Sequence, residues 1–262
     1  MITETDIAKC RPTHLRLLDA LKNICDRHGL VFWLDFGTLL GAHMFKDFIP
    51  WDDDIDVSMP MKDYKKFLAI AEKELPRDIF LQTPKTDPGF KQCFAKLRDC
   101  YSTLLEHHET GNEPYHHGIY IDIFPSVYYP VMPHLLKKIL LRTTVRSRAL
   151  AVVTKEKVLM NYTIYFFCKF IWFLLSPFKG NKVGRTVEDN GYYEAIPDTL
   201  IYPLKPIEFA GGLYPGPHDP DAFLRKIWPN YTPNPPQESR IPHAKVILLD
   251  TPCDHPRALK RK

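Results

Sequence analysis

The sequence lacks several motifs by which common enzyme classes are recognised. There is no Gly-x-x-x-x-Gly-Lys-Ser/Thr loop and no Gly-x-Ser-x-Gly nucleophile elbow, which disfavours a P-loop ATPase and an elbow-type hydrolase. None of the six cysteines forms a Cys-x-x-Cys pair, so a zinc ribbon is not indicated. The first residues contain neither a basic nor an apolar signal region. We therefore expect free thiols and a reducing, cytoplasmic setting.

Acidic residues are almost absent between residues 130 and 185. This segment has eleven lysines and arginines but one acid, Glu156, so its formal charge is +10, whereas that of the whole chain is +4. Within it, residues 158–178 are strongly apolar and aromatic, interrupted by Asn161 and Lys169. A basic helix followed by an aromatic helix is typical of an element that binds an anionic membrane surface. A helical hairpin packed on the core is the alternative, and a transmembrane span is disfavoured.

The remaining sequence has the composition and periodicity of a folded α/β domain. Hydrophobic residues make up 45% of the 262, which is ample for a buried core. Apolar residues at three- and four-residue spacing predict helices over 11–28 and 63–75. Short apolar runs predict strands over 30–36, 54–59, 79–82, 92–98, 102–106 and 118–124, and we expect 92–98 to pair with 102–106. Thirteen of the 24 prolines lie from residue 197 onward, so regular structure there must be short.

Four aspartates lie within five positions: Asp52, Asp53, Asp54 and Asp56. If this stretch is a strand, Asp54 and Asp56 share one face, whereas Ile55 and Val57 point into the core. Two carboxylates so close together repel each other, and burial strengthens the repulsion. A hard divalent cation such as Mg²⁺ or Mn²⁺ removes this conflict. A solvated acidic turn is the alternative, but the apolar residues around the run disfavour it.

Three further features could complete a phosphate-binding site around these acids. Asp122 lies in an apolar strand, where an unpaired carboxylate is costly unless it is paired or bound to metal. Gly37 and Thr38 follow a predicted strand, and Thr38 could cap a short helix whose backbone N–H groups face a phosphate. Lys96 and Arg98 share one face of a predicted strand, where they could equally bind phosphate or face solvent.

Carboxylates that converge on one strand face are suited to phosphoryl-type transfer, because a bound divalent cation neutralises phosphate oxygens. A glycosyltransferase that uses an Asp-x-Asp motif with a nucleotide-sugar is the closest chemical alternative. A non-catalytic glycan-binding module is a second alternative, of a different class. We expect no nucleic-acid partner, because no basic and aromatic groove accompanies the acids.

Three motifs together resemble the LicD phosphotransferase family, which is related to fukutin and fukutin-related protein. They are Gly37-Thr-Leu-Leu-Gly-Ala42, Phe48-Ile-Pro-Trp-Asp-Asp-Asp-Ile-Asp56 and Gly118-Ile-Tyr-Ile-Asp-Ile-Phe-Pro125. The resemblance resumes weakly at Ile227-Trp-Pro-Asn-Tyr231 and around Arg240 and His243. It implies a nucleotidyltransferase-like mixed sheet flanked by helices.

The resemblance also implies an activity and a set of site residues. Such enzymes transfer a phospho-substituent, commonly phosphocholine, from a CDP- or CMP-linked donor to a glycan hydroxyl, which could be lipid-linked. The implied catalytic and metal-binding residues are Asp54, Asp56 and Asp122, with Asp52 as a further ligand. The candidates for donor or phosphate binding are Gly37, Thr38, Lys46, Lys96 and Arg98, and those for the substrate are Asp35, Arg240 and His243. Many members of the family have an arginine where this chain has Met44, so the identity of the donor stays open.

We predict three segments along the chain. Residues 1–128 would form the catalytic core, residues 129–195 a basic and aromatic helical insertion, and residues 196–262 a proline-rich segment that packs back on the core. The insertion would place the protein peripherally at the inner face of the cytoplasmic membrane.

Overall fold

Short strands alternate with helices along the computed structural model, which describes residues 2–189, 195–233 and 235–259. The helices are α1 (Glu4–Ala8), α2 (Arg11–His28), α3 (Phe36–Phe45), α4 (Met61–Glu74), α5 (His134–Arg148), α6 (Val158–Leu175), α7 (Asp198–Ile201) and α8 (Pro220–Ile227). The strands are β1 (Trp33–Leu34), β2 (Asp56–Pro60), β3 (Ile79–Gln82), β4 (Ala95–Asp99), β5 (Thr103–Glu106), β6 (Tyr120–Pro130), β7 (Lys179–Arg185), β8 (Ile196–Pro197), β9 (Lys205–Phe209), β10 (Gly212–Gly216) and β11 (Ala244–Leu248). The fold is therefore α/β, as predicted.

A mixed seven-stranded sheet organises these elements around the long strand β6. The strand order is β1-β2-β6-β4-β3, and β7 joins the second half of β6 and carries β8 at its other edge. Only the β2–β6 pair is parallel within this sheet of described residues; the other pairs are antiparallel. Two separate two-stranded sheets, β9–β10 and β5–β11, complete the strands.

Helices α2 and α4 pack on the central strands and on each other. The predicted helix over 11–28 is confirmed as α2, which buries Leu17, Leu21 and Ile24. It ends at Gly29, whose φ of 60° is the left-handed conformation that terminates many helices. Helix α4 confirms the second predicted helix to within two residues, and β3 occupies the predicted 79–82.

The predicted strand over 30–36 is wrong except at Trp33–Leu34. The chain turns at Asp35, whose carboxylate caps α3 by accepting a hydrogen bond from the Phe36 backbone N–H at 2.8 Å. Helix α3 therefore begins at Phe36, before Gly37, and Thr38 lies inside its first turn and is not its cap. Except for Val31, the apolar residues at 30–36 are buried, and a short buried apolar run has the same pattern whether or not it forms a strand.

The predicted pairing of 92–98 with 102–106 is also wrong. Strand β4 pairs on one side with β3 and on the other with β6, so both of its edges are occupied. Strand β5 pairs instead with β11 from the far end of the chain. This pairing matters for the site because it brings the segment around His243 beside the aspartate run.

The basic segment forms the two predicted helices and then returns to the sheet. Helices α5 and α6 pack against each other, and a π-helical turn at Ala149–Val153 follows α5. Strand β7 then pairs with the second half of β6, with Ser126 opposite Arg185. The predicted boundary after residue 128 falls inside β6, and the division into three segments stays a prediction.

Thr38 connects α3 to the start of β2, and this contact is testable. The Asp56 backbone N–H donates to Thr38 Oγ1 at 2.8 Å. We expect Thr38→Val to lower the free energy of unfolding by about 1–3 kcal/mol, because it leaves that N–H without an acceptor. The measurement is urea denaturation.

Thr144→Val is the matched control for this measurement. Thr144 is also buried in a helix, but its hydroxyl donates to the Leu140 carbonyl at 2.7 Å, within the same helix. Such a bond to a helical carbonyl adds little, so its loss should cost less than about 0.5 kcal/mol. Equal losses in the two variants would contradict the role assigned to Thr38.

Candidate active site

The parallel pairing of β2 with β6 places two aspartates side by side. In this register Asp56 lies opposite Asp122. The residues before β2 run alongside β6 as well, because the Asp122 backbone N–H donates to the Ile55 carbonyl at 2.7 Å. Asp54, two residues before Asp56, turns its carboxylate to the same place. One oxygen from each of these three aspartates lies within 4.8 Å of the others, which is close enough for all three to bind one cation.

Asp52 joins this acidic cluster beside Gly37. A Cβ atom at position 37 would overlap Oδ2 of Asp52, so only glycine allows the first turn of α3 to approach the carboxylate this closely. The Asp52 side chain also forms a hydrogen bond with that of Asp54. Gly37, predicted to face phosphate, is thus placed directly against an acid of the cluster.

Two other residues of this region hold the backbone in place. Thr38 is buried and accepts the hydrogen bond from Asp56, as described above. Asp35, predicted as a substrate contact, is buried, caps α3, and accepts a hydrogen bond from the Ser58 hydroxyl at 2.5 Å. Both residues therefore orient the start of β2: Thr38 acts at Asp56 itself, and Asp35 acts two positions later, at Ser58.

The acids of the cluster carry too much negative charge for their surroundings. Burial and the neighbouring Asp54 raise the pKa of Asp52 well above its ordinary value. Burial, Asp54 and Asp122 do the same to the pKa of Asp56. Burial raises the pKa of Asp122 to about 6, although the Lys96 ammonium opposes the shift. These carboxylates cannot all be charged without a compensating positive charge, and such a donor set fits a hard divalent cation.

Lys96 supplies part of that charge from β4. Its ammonium lies 2.9 Å from Oδ1 of Asp122 and 3.7 Å from Glu106. It also lies 3.3 Å above the centre of the Tyr120 ring, in a cation–π contact. Lys96 thus belongs to the acidic cluster as the partner of Asp122, which is a more specific position than the phosphate contact we predicted.

Arg98 and Lys46 occupy different environments from the predicted one. Arg98 lines the same cleft as Lys96, but it is buried and donates to the Gln82 side chain and the Gly118 carbonyl, each at 2.8 Å. Lys46 follows the last residue of α3, and its ammonium pairs with Glu208 at 3.0 Å. A helix of ten residues is about 15 Å long, so the structure does not bring Lys46 to the acidic cluster.

The C-terminal segment completes the site from the other side. Asp53 accepts hydrogen bonds from the backbone N–H groups of His243, at 3.1 Å, and Ala244, at 2.5 Å. Although burial opposes it, these bonds and the His243 ring lower the pKa of Asp53. The His243 ring lies 3.5 Å from both Asp53 and Asp54, and these contacts raise its pKa far above the ordinary value. Asp53 is therefore the acid that attaches β11 to the aspartate run.

Arg240, the other predicted substrate contact, lies at the edge of this region. Its guanidinium lies 4.6 Å from the centre of the Trp51 ring and donates to the Pro235 carbonyl. Trp51 immediately precedes the aspartates, so Arg240 lies beside the aspartate run.

A cleft of about 570 Å³ opens over Asp54 and Asp122. Its lining combines the two acids with basic, aromatic and apolar side chains. The residues that line it are Asp54, Gly89, Phe90, Lys91, Gln92, Phe94, Lys96, Arg98, Glu106, His108, Glu109, Tyr115, Tyr120, Asp122, Val152, Val153, Lys155 and His243. Lysines and aromatic rings next to an acidic floor are suited to a ligand with phosphates and a planar base.

Sequence reasoning missed two residues that lie near the cluster. Tyr120 lies two positions before Asp122 and hence on the same strand face, a signal that was available. Its hydroxyl donates to Glu106 at 2.9 Å. Arg185, from β7, lies against the Phe124 ring and pairs with Asp189 at 2.9 Å. Burial raises the pKa of both Asp56 and Asp35, and the charge of Arg185 opposes this rise. No local pattern identified Arg185, because its approach depends on the pairing of β7 with β6.

The site is an acidic strand pair in a mixed sheet, below a cleft, and this arrangement suits a divalent cation and a phosphorylated ligand. Residues 29–149 match a family described as LicD/FKTN/FKRP, nucleotidyltransferase domain. The chain is also 25% identical over 249 residues to the lipopolysaccharide cholinephosphotransferase LicD of Haemophilus influenzae, a similarity that covers 87% of this chain and 92% of the relative. Both similarities confirm the resemblance to the LicD family that was drawn from the motifs.

The carboxylate repulsion gives a test of cation binding that needs no substrate. We expect Mg²⁺ or Mn²⁺ to stabilise the wild-type protein by about 2.7 kcal/mol at a hundredfold excess over Kd. Asp56→Asn should lose this increment and, without cation, be at least as stable as the wild type because one repelling charge is gone. Thermal unfolding with and without cation, after chelation, measures both effects.

Asp26→Asn is the control, since Asp26 lies on the exposed side of α2 in a pair with Lys22. The Asp26→Asn variant should keep the full stabilisation by Mg²⁺ or Mn²⁺. An undiminished cation increment in Asp56→Asn would exclude the cluster as the binding site.

Proposed function

We propose that this protein is a phosphotransferase that moves a substituted phosphate group from a CDP- or CMP-linked donor to a hydroxyl of a glycan. The observation that supports it best is the convergence of Asp54, Asp56 and Asp122 below the cleft, within a domain of the LicD family. The catalytic roles of these three residues are part of the proposal.

The reaction exchanges one phosphorus–oxygen bond for another. The acceptor oxygen bonds to the phosphorus of the transferred group, the bond from that phosphorus to the nucleotide breaks, and CMP leaves with the electron pair. A divalent cation held by the acids would neutralise the diphosphate oxygens. We assign Asp54 and Asp56 to holding it, with Asp52 in support.

Asp122 is our candidate for receiving the proton of the acceptor hydroxyl. Lys96 orients its carboxylate through contacts of 2.9 and 3.3 Å to its two oxygens. The aromatic and basic wall of the cleft, including Phe94 and Lys91, would receive the donor. No covalent intermediate with the protein is needed, since the acceptor is itself the nucleophile.

Phosphocholine is the first candidate for the transferred group, and a lipopolysaccharide-type glycan for the acceptor. Both are taken from the name of the Haemophilus influenzae relative, which is similar along most of its length. Phosphoethanolamine, a phosphonate or a polyol phosphate are the other groups to test, because Met44 replaces an arginine common in the family. We further propose a cytoplasmic location, which the six free cysteines support.

The proposal is tested by the nucleotide that is released. Purified protein with Mg²⁺ or Mn²⁺ should release CMP from CDP-choline or a related CDP-linked compound when a glycan acceptor is present. Asp54→Asn and Asp122→Asn should each lower this release by at least about a thousandfold, which corresponds to several kcal/mol of lost charge stabilisation. Circular dichroism should show that both variants remain folded, and Asp26→Asn should retain full activity.

Three results would contradict the proposal. Release of UDP or GDP from a nucleotide-sugar would identify a glycosyltransferase. Nucleotide binding without turnover and without dependence on divalent cations would indicate a glycan-binding module. Retained CMP release in either aspartate variant would show that the chemistry takes place elsewhere.

A further inference from the structure

Helix α6 turns its apolar side away from the protein. Seven residues at three- and four-residue spacing share its outward face: Leu159, Thr163, Phe166, Phe167, Phe170, Phe173 and Leu174. We call them the α6 stripe. The four phenylalanines are between 56% and 69% exposed, and Leu159 is 83% exposed. A stripe of this kind would normally lie in a core, so its exposure marks a surface that binds something.

The inward side of α6 shows that this orientation is specific. Asn161 donates to the Glu156 carbonyl at 2.7 Å, and the Lys169 ammonium pairs with Glu188 at 2.7 Å. Trp172 packs edge-on against Tyr129, with ring centres 5.0 Å apart. Polar and aromatic groups thus anchor the helix, and only 17% of its 18 residues are buried. Rotating α6 to bury the stripe would break these contacts.

Positive charges flank the α6 stripe at both ends. Lys155 and Lys157 precede the helix, Lys179 and Lys182 follow it, and all four are exposed. The partner helix α5 exposes Lys138, Arg142 and Arg146 on its own outer side. An apolar surface between lysines matches the acyl region and the anionic headgroups of a phospholipid bilayer.

We propose that the α6 stripe lies in the interface of an anionic phospholipid bilayer. A second copy of this chain would place the two sets of lysines against each other, which disfavours a symmetric dimer through this face. A span is also disfavoured, because α6 is anchored along the protein and the basic outer side of α5 would have to enter hydrocarbon with it.

The same docking places the cleft at the lipid surface. The cleft over Asp54 and Asp122 is lined in part by the connection between α5 and α6, through Val152, Val153 and Lys155. Leu159, in the first turn of α6, is the most exposed member of the stripe. A bilayer against the stripe therefore borders the cleft. This last step rests on the proposed function: a cleft beside the bilayer favours an acceptor glycan that is attached to a lipid.

Vesicle sedimentation tests the docking without donor or acceptor, so its outcome is independent of catalysis. Wild-type protein should bind vesicles of phosphatidylglycerol and phosphatidylcholine, and bind pure phosphatidylcholine vesicles much less. Combined Lys157→Gln, Lys179→Gln and Lys182→Gln should weaken partitioning about a hundredfold, at about 1 kcal/mol per charge. Combined Phe167→Gln, Phe170→Gln and Leu174→Gln should weaken it by at least as much.

Matched controls separate this surface from general charge and hydrophobicity. Lys65→Gln, Lys66→Gln and Lys73→Gln on α4 remove three exposed lysines elsewhere, and Val31→Gln with Leu213→Gln removes exposed apolar side chains elsewhere. Both controls and Asp54→Asn should bind vesicles like the wild type. Equal vesicle binding by the stripe variants and the wild type would overturn the proposal. It would also be overturned if the wild type formed a dimer that does not bind vesicles and the stripe variants were monomeric.

A fluorescent label reports whether the cleft lies at the lipid surface. Burial raises the pKa of all six native thiols, so a thiol introduced by Val153→Cys reacts preferentially. An environment-sensitive label there should shift to shorter wavelength when anionic vesicles are added, whereas a label introduced by Lys65→Cys should not. No shift at position 153 in vesicle-bound protein would show that the cleft faces away from the bilayer.

Discussion

Repulsion among buried carboxylates is the constraint on which the rest of this structure depends. The parallel register of β2 and β6 places Asp56 beside Asp122, and the preceding residues add Asp54 and Asp52. Like charges at such distances in a poorly solvated place are unstable unless the surrounding contacts hold them. Neighbouring elements supply such contacts: α3 through Thr38, β4 through Lys96, and the segment at β11 through His243.

The cations around the cluster are mostly engaged by particular protein groups. Lys96 pairs with Asp122, Arg98 with Gln82 and Gly118, and Arg185 with Asp189. They moderate the negative charge without removing it, as the raised pKa of Asp122 shows. Such a negatively charged cluster favours the binding of a cation, and a bound cation in turn attracts phosphate oxygens.

The basic segment connects the cleft above the acidic cluster to an exposed apolar surface of the protein. One end of the α5–α6 pair lines the cleft, whereas the outward face of α6 is apolar and bordered by lysines. The polar and aromatic contacts on the inward face fix which side is exposed. The orientation of a single helix thus determines both the wall of the cleft and the character of the surface beside it.

The sequence alone determined the features that depend on near neighbours. Apolar spacing predicted α2 and α4, and composition predicted the helices of the basic segment. The clustering of Asp52, Asp54 and Asp56 indicated a cation site. Tertiary structure decided what depends on distant partners. Because both edges of β4 are occupied, β5 pairs with β11 and His243 reaches the acids. The pairing of β7 with β6 places Arg185, and packing turns the α6 stripe outward. These pairings and orientations depend on which strand edges and helix faces other elements leave unoccupied, and the local sequence does not determine this.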